Sequence, residues 1–216
     1  MYQRKNNHKN IMKYDTLATV DSINKTTKAL TEEGFLPESV ASGVEALSRI
    51  KELIPAGASV MNGSSRTLDE IGFVKYLKEE THGWNNLHEA ILAEKDPAKQ
   101  MALRKQSVLS DFYLGSAHAI AETGEIVIAS NSGSQLPHIA FTSPNIILVV
   151  GAQKITPDAD TAISRLKEYV FPLEDARMKE AGMGGSFISK ILILNREQSF
   201  MGRKVHVFLV NEKLGF

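Results

Sequence analysis

Residues 111–151 run DFYLGSAHAIAETGEIVIASNSGSQLPHIAFTSPNIILVVG, a stretch rich in β-branched and aromatic residues and punctuated by Gly, Pro, Asn and Ser. Apolar runs broken in this way read as strands, here near 111–114, 125–129 and 146–150, joined by polar turns. The run at 146–150 is apolar at every position, which fits a strand buried on both faces. Helical spacing appears on either side of this segment. Leu17, Val20, Ile23, Ala29 and Leu30 recur at helical spacing over 15–33, and Gly34 stands where a left-handed cap belongs. After Pro37, the residues Val40, Val44, Leu47, Ile50 and Ile54 predict a second amphipathic helix that ends at the turn PAGA. SVM at 59–61 reads as a short buried strand, and three or four helices fit between Thr67 and Leu109. A helix at 158–170, with Asp158 as a first-turn acid, precedes two last strands, KILILN and KVHVFLV. Helices alternating with fully apolar strands predict an α/β fold, a mainly parallel sheet covered by helices on both faces.

The chain has 216 residues, of which 43% are hydrophobic and 23% charged. That size and balance suit one globular domain, expected at 15–216, with the helical block near 73–109 as an insertion over the sheet. A basic N-terminal tail is expected at 1–14, where Arg4, Lys5, Lys9 and Lys13 occur without an acid and no signal-peptide pattern follows. Lys and Arg number 25 and Asp and Glu number 25, so no global field draws the chain to nucleic acid or to an anionic membrane, and any anion site must be local. The longest apolar stretch, near 139–151, is broken by Pro144 and Asn145 and is too short to span a bilayer; a cytoplasmic protein is expected. There is no cysteine, which excludes disulfides, thiolate nucleophiles and cysteine-ligated zinc or iron–sulfur clusters. No resident cofactor or metal is expected.

Three segments are candidates for chemistry. In VMNGSSRTLDEIG a strand ends at Asn62, Gly63, Ser64 and Ser65 and passes into a helix near Thr67, so free N–H groups and hydroxyls converge on one point suited to a phosphate or carboxylate. An ordinary strand–helix turn, with Thr67 as cap, explains the same residues. In AIAETGEIVIASNSGS the turn Thr123-Gly124 follows Glu122, a carboxylate that serves as base or nucleophile if it faces inward and as a solvated turn acid if it does not. The strand after that turn delivers Ser130, Asn131, Ser132, Gly133 and Ser134 into a polar loop. In PLEDARMKEAGMGGSF, Arg177 is a potential anion clamp beside a glycine-rich loop, or else part of an exposed helix. Other motifs fail. HEAIL has Leu92 where a zinc helix needs its second His, and GMGGSF lacks the third glycine of a dinucleotide fingerprint; no Walker loop or G-x-S-x-G elbow is present. His118 and His138 read as hydrogen-bonded structural residues.

The ordered set SDFYLGSAHAIAETGEIVIASNSGSQLPHIAFTSPNIILVVGAQKI, ITPDADTAISRL and upstream NGSSRTLDEIG, with VHVFLVNEKLGF at the end, resembles the LUD domain, the lactate-utilisation family. The resemblance covers about two-thirds of the chain. It implies the fold of ribose-5-phosphate isomerase, glucosamine-6-phosphate deaminase and the CoA transferases, with 62–67 corresponding to the phosphate-cradling loop of that superfamily. It also implies a place in bacterial L-lactate utilisation, where a partner subunit carries cysteine-ligated iron–sulfur clusters. Having no Cys, this chain looks like the short, cluster-free member. The expectation is a protein that binds a small anionic metabolite as an accessory or substrate-handling component, with Asn62 to Thr67, Thr123-Gly124 and Ser130 to Gly133 lining one pocket and an iron–sulfur protein or a second copy of itself as partner. The alternative is a free-standing isomerase or acyl/CoA transferase using Glu122.

Overall fold

The computed structural model describes residues 13–79 and 81–216. Along the chain lie α1 (Val20–Glu32), β1 (Leu36–Val40), α2 (Gly43–Leu53), β2 (Ser59–Asn62), α3 (Arg66–Glu70), α4 (Phe73–Glu79), β3 (Asn85–Asn86), α5 (Leu87–Ala93) and α6 (Pro97–Gln106). There follow β4 (Phe112–Gly115), β5 (Ala119–Ala121), β6 (Ile126–Ser130), β7 (Asn145–Gly151), β8 (Ile155–Thr156), α7 (Ala159–Arg165), α8 (Phe171–Glu180), β9 (Lys190–Leu194) and β10 (Lys204–Val210). The basic residues expected to form a tail fall largely at 1–12, outside the described residues. Tyr14 is buried, with its ring centroid 6.2 Å from that of Tyr169.

The central sheet is parallel throughout, in the order β1-β10-β7-β4-β2-β3. Its apolar strands divide their side chains between two cores by the two-residue period of the pleat. Ile146, Leu148 and Val150 of β7, with Val205, Val207 and Leu209 of β10, face one core. Ile147 and Val149, with Phe208 and Val210, face the other, where α2, α3 and α4 contribute Ala46, Ile50, Leu68, Phe73 and Leu77. A second sheet, β8-β5-β6-β9, packs Ile120, Ile126 and Ile128 into the first core beside Ile23 and Leu30 of α1. Its far face carries Ala119 and Val127 against Leu166, Tyr169 and Val170. The result is an α/β molecule whose parallel sheet is covered on both faces.

Several boundaries differ from the sequence reading for identifiable reasons. The first helix begins at Val20, capped by the Thr19 hydroxyl, which accepts the Ser22 N–H at 3.2 Å. Pro37 and Val40 belong to strand β1, not to the start of a helix. β1 is an edge strand, where a proline without an N–H is tolerated, and α2 starts only after the Ser42 cap. The helix expected at 158–170 continues to Glu180. Its turns widen to π type at Leu166–Val170, and this accommodates Pro172 near the start of α8. KILILN, apolar enough for a covered strand, is the edge strand β9, with Ile191 41% and Ile193 37% exposed. No helix among the described residues is long and apolar enough to cross a membrane.

Candidate functional site

Parallel α/β sheets leave a crevice beyond the C-terminal ends of their strands, where neighbouring connections diverge. Here β2, β4 and β7 end at Asn62, Gly115 and Gly151, and the second sheet's β6 ends close by at Ser130. Between these ends lies a cavity of about 540 Å³. Asn62, Gly63, Ser64, Ser65 and Thr67 line one side of it, Ser130 and Asn131 another, and Arg177 stands on its wall. The helical block after β2 supplies His88, Arg104 and Ser107 to the same cavity.

The geometry separates these candidates by what their polar atoms are already doing. Ser65 caps α3 by accepting the Leu68 N–H at 3.3 Å, so the cap of that helix is Ser65 and not Thr67. Thr67 is buried and gives its hydroxyl proton to Leu214 O at 3.3 Å. Ser130 Oγ accepts the N–H of Gly133 at 2.9 Å, which closes the polar loop, and Asn131 Oδ1 accepts from Ser189 Oγ at 3.1 Å. Arg177 holds Glu174 in a two-pronged pair, Nε to Oε2 at 2.8 Å and Nη2 to Oε1 at 2.7 Å, so its fork is already engaged by a carboxylate. Gly63 owes its identity to a close approach. A Cβ there would sit 2.6 Å from the Tyr113 hydroxyl and 3.0 Å from Gln135 Oε1, the groups that wall this side.

Glu122, Thr123, Gly124 and Gly133 are not among the lining residues. The turn between β5 and β6 packs instead on α1, Gly124 lying against Ala29 and Glu33. Glu122 accepts from Ser22 Oγ at 2.6 Å and pairs with Lys25 Nζ at 2.9 Å. The Lys25 and Ser22 hydrogen bonds hold its carboxyl below the usual carboxylate range, so it is a charged surface partner of α1. A role for Glu122 as base or nucleophile on a ligand in this cavity has no support in that geometry. Thr123 is tied locally, its hydroxyl donating to the Glu125 carboxylate.

What sequence reading missed is Lys154. It follows β7 in GAQKI, lines the cavity and is 2% exposed. Its Nζ donates to Thr67 Oγ1 at 2.9 Å and to Ser116 Oγ at 3.2 Å. Both hydroxyls act here as acceptors, because Thr67 donates to Leu214 O and Ser116 to Ala117 O. Among the described residues no ion pair involves Lys154; burial, reinforced by the Arg165 charge and opposed by the more distant Glu70 carboxylate, lowers its ammonium to about 7. The only hint in the sequence is a lysine directly after seven residues of covered strand and a short turn. Arg104, half-buried on α6, is a second lining cation outside every ion pair among the described residues.

Two histidines complete the walls. His118 is held neutral, lowered to about 3 by burial and then by Lys154 and Arg165. Its Nδ1 accepts the Ala129 N–H at 3.1 Å, which leaves the proton on Nε2. His138 stacks on Tyr113, centroids 4.5 Å apart, with Nδ1 3.1 Å from Ser143 Oγ and 3.3 Å from Ser110 Oγ. Burial lowers it to about 4. The described residues hold no group of three or more His, Cys, Asp or Glu that would bind a metal ion. The site is therefore a polar crevice of hydroxyls and neutral imidazoles, with two cations, Lys154 and Arg104, outside any ion pair among the described residues.

Comparison with known proteins fits this architecture. A crystal structure of a DUF162 family protein from Deinococcus radiodurans has the same fold, with a TM-score of 0.50 and 11% identity, covering 91% of this chain and 100% of that one. No curated protein matches the sequence. The family model of the LUD domain matches residues 23–210, a span that takes in both sheets and every strand end around the cavity. The chain belongs to the LUD domain family.

Proposed function

We propose that the protein binds a small carboxylate anion of the lactate–pyruvate class in the cavity beyond β2, β4 and β7. The observation that carries this reading is the buried Lys154 amine, fixed by two hydroxyls and lacking a carboxylate partner among the described residues. A cation taken out of water without a carboxylate in contact is costly, the Glu70 carboxylate acting on it only from a distance, and an anionic ligand relieves that cost. Arg104 adds a second charge of the same sign, in the planar form that suits a carboxylate. A three-carbon acid is far smaller than a cavity of about 540 Å³, so the remaining space serves water or a larger acid of the same type.

The LUD family is associated with lactate utilisation, and in that setting this chain acts as a substrate-handling component in the cytoplasm. Electron transfer falls to an iron–sulfur partner, since a chain without cysteine has no thiolate to hold such a cluster. The test is isothermal calorimetry with L-lactate and with pyruvate, run on the wild type and on Lys154→Met. Saturable binding of either acid, weakened in the variant, supports the reading. Heats of dilution alone for both acids would remove it. Co-purification with a cluster-bearing chain tests the partner.

A further inference from the structure

We propose that Lys154 forms a reversible imine with the carbonyl carbon of a 2-oxo acid bound in the cavity. The proposal rests on the carboxylate-binding reading above and assigns the covalent chemistry of that same site. The geometry of the amine carries it. An ammonium has three donor directions. On Lys154 two of them are spent on Thr67 Oγ1 and Ser116 Oγ, 2.9 and 3.2 Å away, on hydroxyls whose own protons go elsewhere. The third has no protein partner among the described residues, while the residue lines the cavity. In the neutral amine that third direction is the lone pair. A nucleophile held on two sides, on a side chain that lines the cavity, is positioned for attack on one bound carbon.

The neighbours favour the same chemistry. Burial disfavours protonation of Lys154, and the charge of Arg165, itself buried and bonded to the carbonyls of His118 and Tyr14, acts in the same sense against the opposing Glu70 carboxylate. A lysine desolvated in this way is a stronger nucleophile at neutral pH than one in water. Arg104 lines the same cavity and is outside every ion pair among the described residues, so it is a second group toward which the acid's carboxylate can turn. The step balances without an oxidant or reductant. The Nζ lone pair forms a C–N bond, the carbonyl oxygen takes up protons and leaves as one water, and the product is a C=N bond that carries the proton of the original ammonium. L-Lactate has a hydroxyl at that carbon and forms no imine, so the two acids differ in kind at this site.

The experiment is reductive trapping of the intact wild-type chain with pyruvate and cyanoborohydride, followed by intact mass and peptide mapping. Calorimetry with pyruvate is run alongside on the same preparation. The expected result is one reduced pyruvate adduct at Lys154, at least about tenfold above that at an exposed lysine such as Lys28. No adduct forms with L-lactate, and the Lys154 adduct is absent from a Lys154→Met chain whose circular dichroism matches the wild type. Pyruvate binding by calorimetry without an adduct at Lys154 overturns the imine and leaves the carboxylate site standing. Adducts spread evenly over exposed lysines overturn it as well. Neither binding nor trapping overturns both.

Discussion

Lys154 Nζ and Thr67 Oγ1, separated by 87 positions in the chain, lie 2.9 Å apart, beyond the ends of two strands that flank β4. That contact joins the turn after β2 to the turn after β7 and brings a buried amine to the polar loops.

Replacing this amine tests its role in binding directly. Lys154→Met keeps the length and much of the shape of the side chain and removes the charge. Loss of a charge-assisted hydrogen bond costs roughly 1.5–3 kcal/mol. The affinity for pyruvate should therefore fall about 10- to 100-fold in calorimetry.

The same variant should reveal the cost of burying the charge. Lys154 is lowered from 10.5 to about 7 in the folded chain. Between those values the unfolded chain holds a proton that the folded chain does not, so wild-type stability rises with pH across that window. Below about 7 both states are protonated and the full burial cost, a few kcal/mol, is present. Urea unfolding at pH 7 and pH 9.5 should show the wild type gaining stability relative to Lys154→Met. A pH-independent difference between the two proteins contradicts the assignment.

Acid should act through His118 and His138. Burial lowers them to about 3 and about 4, against 6.5 for an open histidine. As pH falls from 6.5 toward 5 the unfolded chain takes up protons that these folded imidazoles refuse, and stability drops by about 2 kcal/mol for each between pH 7 and pH 5. His138→Gln retains polar contact with Ser110 and Ser143 and should remove about half of that loss in denaturation curves at the two pH values.

Gly63 should tolerate no side chain while Tyr113 stands opposite. Gly63→Ala places a methyl 2.6 Å from the Tyr113 hydroxyl, and overpacking of this kind costs about 1–3 kcal/mol. Tyr113→Phe removes the obstructing oxygen, leaving the ring carbon at 3.7 Å, so the double variant should recover part of the loss. Additive losses in a thermal-unfolding cycle would contradict this.

Glu122→Gln should leave pyruvate affinity within about twofold of wild type and cost less than about 1 kcal/mol of stability, because its partner Lys25 is largely exposed. A large loss of affinity in calorimetry would bring Glu122 back into consideration.

Periodicity and composition were sufficient for the α/β class. The all-apolar run of β7 needs cover on both faces, and the spacing of Ile23 and Leu30 or of Ala46 and Ile50 admits only a helix with one buried side. The small polar turns after β2 and β6 were equally legible, since Asn, Gly and Ser at strand ends are local signals. Other features depend on neighbours distant in sequence. β9 is as apolar as a central strand, and only the pairing order makes it an edge. Glu122 sits beside a readable turn, yet whether it faces a cavity or Lys25 is set by the packing of α1 on the second sheet. Lys154 has no local signature, because its lowered pKa arises when tertiary packing removes water and brings the Arg165 charge near. The sequence by itself determined the elements and their buried faces, through interactions that act over a few residues. The tertiary structure decided which polar groups share one desolvated space, since burial and charge act through space and not along the chain.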